Sequence, residues 1–126
     1  MENLILNETE DTPHVVLDID NNEYAIEGRS LPEDAMSFYS PIINWLKEFK
    51  TIDASSMVFN FKLDYFNTAS AKQVSKLMLT LQDISEKKDV KIKWHFFIED
   101  TDIRASGARY MKLIKTDIEL VPYYDD

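Results

Sequence analysis

Between residues 56 and 84 the hydrophobic period changes once, and that change limits the fold more than any other feature of the chain. In "SMVFNFKLDYF", Met57, Phe59, Phe61, Leu63 and Tyr65 alternate with Asn60, Lys62 and Asp64. A period of two marks a strand with one apolar and one polar face. Beyond it, Ala71, Val74, Leu77, Met78, Leu81 and Ile84 recur at the spacing of an amphipathic helix. A strand that feeds a helix through a few polar residues points to an α/β arrangement, because each element must bury its apolar side on the other.

The same two periods alternate along the rest of the chain. "HVVLDID" puts Val15, Leu17 and Ile19 on one face and Asp18 and Asp20 on the other. Asn21 and Asn22 offer turn chemistry before "EYAIEG", so a hairpin is expected. Ser30 with Glu33 three residues later has the form of a capping box. Leu31, Ala35, Phe38, Ile42, Trp45, Leu46 and Phe49 then follow helical spacing, with Pro41 expected to kink or restart the helix. "VKIKWHFFI" alternates with Val90, Ile92, Trp94, Phe96 and Ile98 inward and Lys91, Lys93 and His95 outward. "DTDIRASGARYMKLI" reads as helical in its second half, and "DIELVPYY" as a last strand. The first dozen residues are expected to form a loosely held arm.

The expected order is β-β-α-β-α-β-α-β in one domain over residues 1–126. One-sided strands argue against an all-parallel sheet covered on both faces. The expected fold is therefore α/β of α+β character: a mixed sheet of about five strands with helices mainly on one face.

Charge and composition narrow the function classes. The formal net charge of −9 opposes binding to nucleic acid or to an anionic membrane. The acidic "MENLILNETED" does not read as a signal peptide, and no run approaches the roughly 18 apolar residues of a membrane helix. The absence of Cys removes disulfides, thiolate nucleophiles and zinc thiolates. A cytoplasmic protein, monomeric when alone, is expected.

Catalytic and metal signals are weak. Asp18, Asp20 and Asn22 resemble the start of a calcium loop, but Glu23 stands where that loop needs Gly and Arg29 where it needs Glu. His14 and His95 show no metal-ligand spacing. Glu99, Asp100 and Asp102 could serve acid–base chemistry or magnesium, with helix capping as the default reading. No nucleophile triad, P-loop or dinucleotide fingerprint occurs. No cofactor and no catalysis by this chain are expected.

The junction "FNTASAK" is left. Asn67 or Thr68 can cap the following helix. The same unpaired N–H groups and positive dipole end stabilise added negative charge, which makes Thr68 a candidate phosphosite. Ala69 and Ala71 leave room around it, and Lys72 can approach.

The element order and this junction resemble STAS domains of the anti-anti-sigma type, without their Asp-Ser-Ser-Gly signature. A closer resemblance, over nearly the whole chain, is to the SiaC family of regulatory phosphoproteins. It is carried by "EGRSLPED", "FYSPIINWL", "LDYFNTASAK" and "IKWHFFIEDTDIRASG". The family pattern at the junction is roughly Asn-Thr-Ser-Ser, met here by Asn67, Thr68 and Ser70, with Ala69 in place of the first Ser.

The resemblance implies a partner switch. A SiaB-like Ser/Thr kinase would phosphorylate Thr68, and a SiaA-like PP2C-type phosphatase would reverse it. The unmodified form would activate a SiaD-like GGDEF diguanylate cyclase, raising cyclic di-GMP in biofilm and aggregation signalling. Asn67, Ser70 and Lys72 would support the switch, and Tyr39, Asp100 and Asp102 are candidate partner contacts. The alternatives are a constitutive interaction module in which Thr68 only caps, or a small metal-dependent enzyme using Glu99, Asp100, Asp102 and His95.

Overall fold

A computed structural model describes residues 1–54 and 56–125. The elements run β1 (Leu4–Leu6), β2 (His14–Asp18), β3 (Glu23–Ser30), α1 (Ala35–Phe49), β4 (Ser56–Phe66), α2 (Thr68–Ser85), β5 (Asp89–Phe97), α3 (Thr101–Leu113) and β6 (Asp117–Tyr123). They build one six-stranded sheet in sequential order. β1, β2 and β3 pair antiparallel, and β3 to β6 pair parallel.

Sequential order explains why the helices share a face. Each crossover, β3-α1-β4, β4-α2-β5 and β5-α3-β6, steps one strand in the same direction. Right-handed crossovers that all step one way place every helix on the same side. The alternating residues meet them there: Val15, Leu17, Ile26, Phe59, Phe61 and Ile92 are fully buried together with Ile42, Leu46, Val74, Leu77 and Leu81 of the helices. The opposite face carries Lys62, Asp64, Lys91, Lys93 and Glu119, and no helix among the described residues covers it. The same geometry brings the N-termini of α1, α2 and α3 to one edge of the sheet, where the parallel strands end.

The sixth strand lies in the segment expected to be a loose arm. Leu4–Leu6 pairs with Val15–Leu17. The Asn3 side chain receives the Ile19 N–H at 2.8 Å and donates to Asp18 and Asp20, while Trp45 Nε1 donates to the Glu2 carbonyl at 2.8 Å. Three residues are too few to show a period, so nothing local announces this strand.

Four further expectations are corrected. Asp34, not Ser30, caps α1, accepting the Ser37 N–H at 3.1 Å, and Ser30 ends β3 instead. α1 runs on through Pro41 without restarting. α3 begins at Thr101, earlier than its second half. Tyr65 and Ile98 face outward, at 50% and 40% exposure.

Tyr65 turns out because the β3–β4 register shifts at Gly28/Arg29, where Leu63 pairs with Gly28 but Tyr65 with Arg29. One extra residue in a strand exchanges its two faces. Phe66 therefore turns inward, edge-on to Trp94 at 6.0 Å, while Tyr65 lies under the Arg29 guanidinium. Gly28 has φ +113°, a conformation that a side chain would strain. Ile98 lies one residue beyond β5, where the alternation no longer applies. The hairpin turn of β2 and β3 has the expected chemistry, with Asn22 at φ 54° and Asp18 accepting the Asn21 N–H at 3.0 Å.

Candidate functional site

The first turn of α2 is built from a cap and a buried hydroxyl. Asn67 is extended (φ −82°, ψ 176°), and its Oδ1 accepts the Ser70 N–H at 2.8 Å. The Asn67 N–H donates to the Ser30 carbonyl at 3.1 Å, which ties the cap to the end of β3. Asn67 is thus the cap, and Thr68 is the first helical residue. Thr68 and Ala69 are exposed, whereas Ser70 is fully buried.

Beneath Thr68 lies a closed polar network that the sequence did not reveal. Ser70 Oγ donates to the Ser30 carbonyl at 3.0 Å, and Ser30 Oγ donates to Ser70 Oγ at 2.9 Å. The Ser30 proton being used there, the Tyr39 hydroxyl donates to Ser30 Oγ at 2.6 Å. All three residues have no exposed surface. Burial pushes the Tyr39 phenol up to about 12, so it stays a neutral donor. The network joins β3, α1 and α2 at one point. It also corrects the expectation that Tyr39 meets a partner, because its side chain is enclosed.

Thr68 stands on a ridge between two grooves. One, about 400 Å³ in volume, runs between α2 and α3 and is lined by Phe66, Ala71, Lys72, Arg109 and Tyr110. The other, about 620 Å³, lies toward the start of α1 and is lined by Glu33, Asp34, Met36, Ala69 and Gln73. Thr68 and Lys72 line both. The first groove is held in shape by Tyr110, whose hydroxyl donates to the Ala71 carbonyl at 3.3 Å, and Arg109 donates to Ser106 Oγ at 3.0 Å. Among the described residues, ion pairs join Lys50 to Asp83 and Lys91 to Glu119, and His14 Nδ1 lies 3.2 Å from a Glu8 carboxylate oxygen. Lys72 and Arg109 are in none of them.

The other candidates fall elsewhere. Asp100 caps α3, accepting the Ile103 N–H at 3.0 Å, and Asp102 is exposed in its first turn. His95 Nε2 donates to Asn60 Oδ1 at 2.9 Å on the open face of the sheet. Burial first, then Lys62 and Lys93, lower its proton affinity and keep it neutral. His14 sits on β2 beside Glu8. Among the described residues no three His, Asp or Glu side chains are placed to hold a metal ion. No helix among them is long and apolar enough to cross a membrane.

Residues 6–123 match the family model of the SiaC family regulatory phosphoproteins. An uncharacterized protein of Pseudomonas aeruginosa (strain UCBPP-PA14) is 24% identical over 97 residues, covering 76% of this chain and 77% of that one. The crystal structure of apo-SiaC from Pseudomonas aeruginosa superposes with a TM-score of 0.86 at 19% identity, covering 96% of this chain and 99% of the other. A crystal structure of the diguanylate cyclase SiaD in complex with its activator SiaC, from the same organism, gives a TM-score of 0.88 at 18% identity, covering 95% and 99%.

Proposed function

Because this chain belongs to the SiaC family of regulatory phosphoproteins, we propose that it is a non-enzymatic phospho-switch whose acceptor is Thr68. A Ser/Thr kinase adds the phosphate, a PP2C-type phosphatase removes it, and the unmodified protein binds and activates a diguanylate cyclase. The cyclase is the partner favoured by likeness to SiaC, which is the activator of SiaD.

The observation that carries this reading is the contrast within one helical turn. Thr68 is exposed and Ser70 is buried, while Ala69 has no hydroxyl. A kinase that reaches this turn has one acceptor available in the folded protein. Phosphorylation adds about −1.5 to −2 charge at a helix N-terminus, where it is tolerated. A partner that covers this ridge then meets new charge and bulk, and the complex is lost through repulsion and desolvation. Asp102, exposed at the start of α3, is a candidate rim contact at the same edge of the sheet.

The deciding experiment compares wild type, Thr68→Ala and Thr68→Asp with the candidate kinase and cyclase. Intact mass should rise by one phosphate only where Thr68 is present. Cyclase activation should survive in Thr68→Ala and fall in Thr68→Asp. Phosphate uptake by Thr68→Ala, or equal activation by all three proteins, would overturn the reading.

A further inference from the structure

The two grooves beside Thr68 differ in sign, and the difference gives the phosphate a direction. On the α1 side stand Glu33 and Asp34. On the α3 side stands Arg109, projecting from α3, while Lys72, one turn along α2, borders both grooves. In a chain of net charge −9, these two cations are matched by no carboxylate among the described residues. Resting on the reading of Thr68 as the acceptor, we infer that the α2–α3 groove is a phosphate clamp in cis, in which Arg109 and Lys72 close on phosphothreonine 68.

Three physical terms agree. Carboxylates at Glu33 and Asp34 repel a dianion from the α1 side. Residues four apart on a helix lie on one face, so Lys72 can follow the phosphate. Arg109 presents a planar fork suited to two phosphate oxygens, and its present partner is only the neutral Ser106 hydroxyl. The groove, about 400 Å³, is large enough to take the group without moving a helix.

The regulatory consequence is local. The clamp fills the α2–α3 groove and cancels its positive charge, so a partner that needs the groove open loses it. Phosphorylation then acts by occupying a site of this chain as well as by adding charge to its surface.

The clamp is tested without any partner. Phosphothreonine is incorporated at position 68 during synthesis, in wild type and in Arg109→Gln and Lys72→Gln. The phosphate is then titrated by ³¹P NMR. Free phosphothreonine has its second pKa near about 6. In the wild-type background it should titrate about one pH unit lower, because paired cations favour the charged form, and return upward in Arg109→Gln and, to a smaller degree, Lys72→Gln. The charged groups facing the phosphate are Glu33, Asp34, Lys72 and Arg109, and Tyr110 stays neutral in the range titrated. Arg109 and Lys72 are exposed, so both variants should fold, which the circular dichroism of the unmodified proteins checks. A phosphate that titrates as in a free peptide, unaffected by either variant, would overturn the clamp. That result together with loss of cyclase activation would leave the switch standing. A normal clamp signature with unchanged activation would instead retain the clamp and overturn the switch.

Discussion

The Ser70 hydroxyl donates to the Ser30 carbonyl at 3.0 Å, across 40 positions of sequence. This bond fixes the first turn of α2 to the end of β3, and so fixes where Thr68 stands on the surface. Through Ser30 Oγ the same network reaches Tyr39 on α1.

Ser70→Ala should destabilise the fold by about 1–3 kcal/mol, because it leaves the Ser30 hydroxyl without its buried acceptor. Tyr39→Phe should cost about 0.5–1.5 kcal/mol through the lost donor. Urea denaturation of both variants and of the double variant checks this. Joint costs that differ from the sum are expected, since the residues share one network.

Asn67→Ala should cost about 0.5–2 kcal/mol by removing the cap of α2. Asn67→Asp should keep the cap and lose little, because its carboxylate can accept the same N–H and complements the helix dipole. Chemical denaturation separates the two, and equal losses would show that capping is not what Asn67 supplies.

Gly107→Ala is expected to be poorly tolerated. A Cβ at Gly107 would lie 2.7 Å from Leu120 Cδ2 and closer still to the Trp94 ring. Both neighbours belong to the packed layer between α3 and the sheet, and overpacking of this kind costs about 1–3 kcal/mol. A lowered melting temperature and an altered tryptophan emission should appear together. Trp94 is 1% exposed and bonds to the Ile103 carbonyl at 2.8 Å, so its emission reports on this layer.

His95 predicts a pH dependence. Burial, then Lys62 and Lys93, lower its pKa in the folded protein, with Glu119 opposing. The unfolded chain, with a His pKa near about 6.5, then binds more protons than the native state just below that pH. Stability therefore rises with pH through this window and is lost as pH falls below about 6.5, until the folded His95 also protonates. Urea midpoints at several pH values above the carboxylate range check the sign. His95→Gln should flatten the slope, and an unchanged slope would exclude His95 as its source.

The site was legible in parts. Capping chemistry at the junction follows from residue type, but that Asn67 rather than Thr68 is the cap, and that Thr68 is exposed, came from the structure. The grooves could not be read from the sequence, because Arg109 and Glu33 come to the same helix from elements far away in sequence. Tyr39 was misplaced for the same reason. It was expected to flank the switch at the surface, and its hydroxyl instead meets Ser30 inside. Ser30 itself matched a capping pattern, and the stronger claim of the β3–β4 pairing displaced it to the end of a strand.

Local periodicity determined the mixed sheet, its helix-covered face and most of the buried residues, because burial of an apolar stripe or face is dictated by neighbours two, three or four positions away. Tertiary structure alone decided the rest. It recruited Leu4–Leu6 as a sixth strand through backbone pairing that carries no sequence period. It turned Tyr65 outward through a one-residue register shift. It set an acidic groove and a basic one on either side of Thr68, since charges from different helices share a surface only after the helices have packed. The sequence "YFNTASAK" names the hydroxyl, and the fold supplies its surroundings.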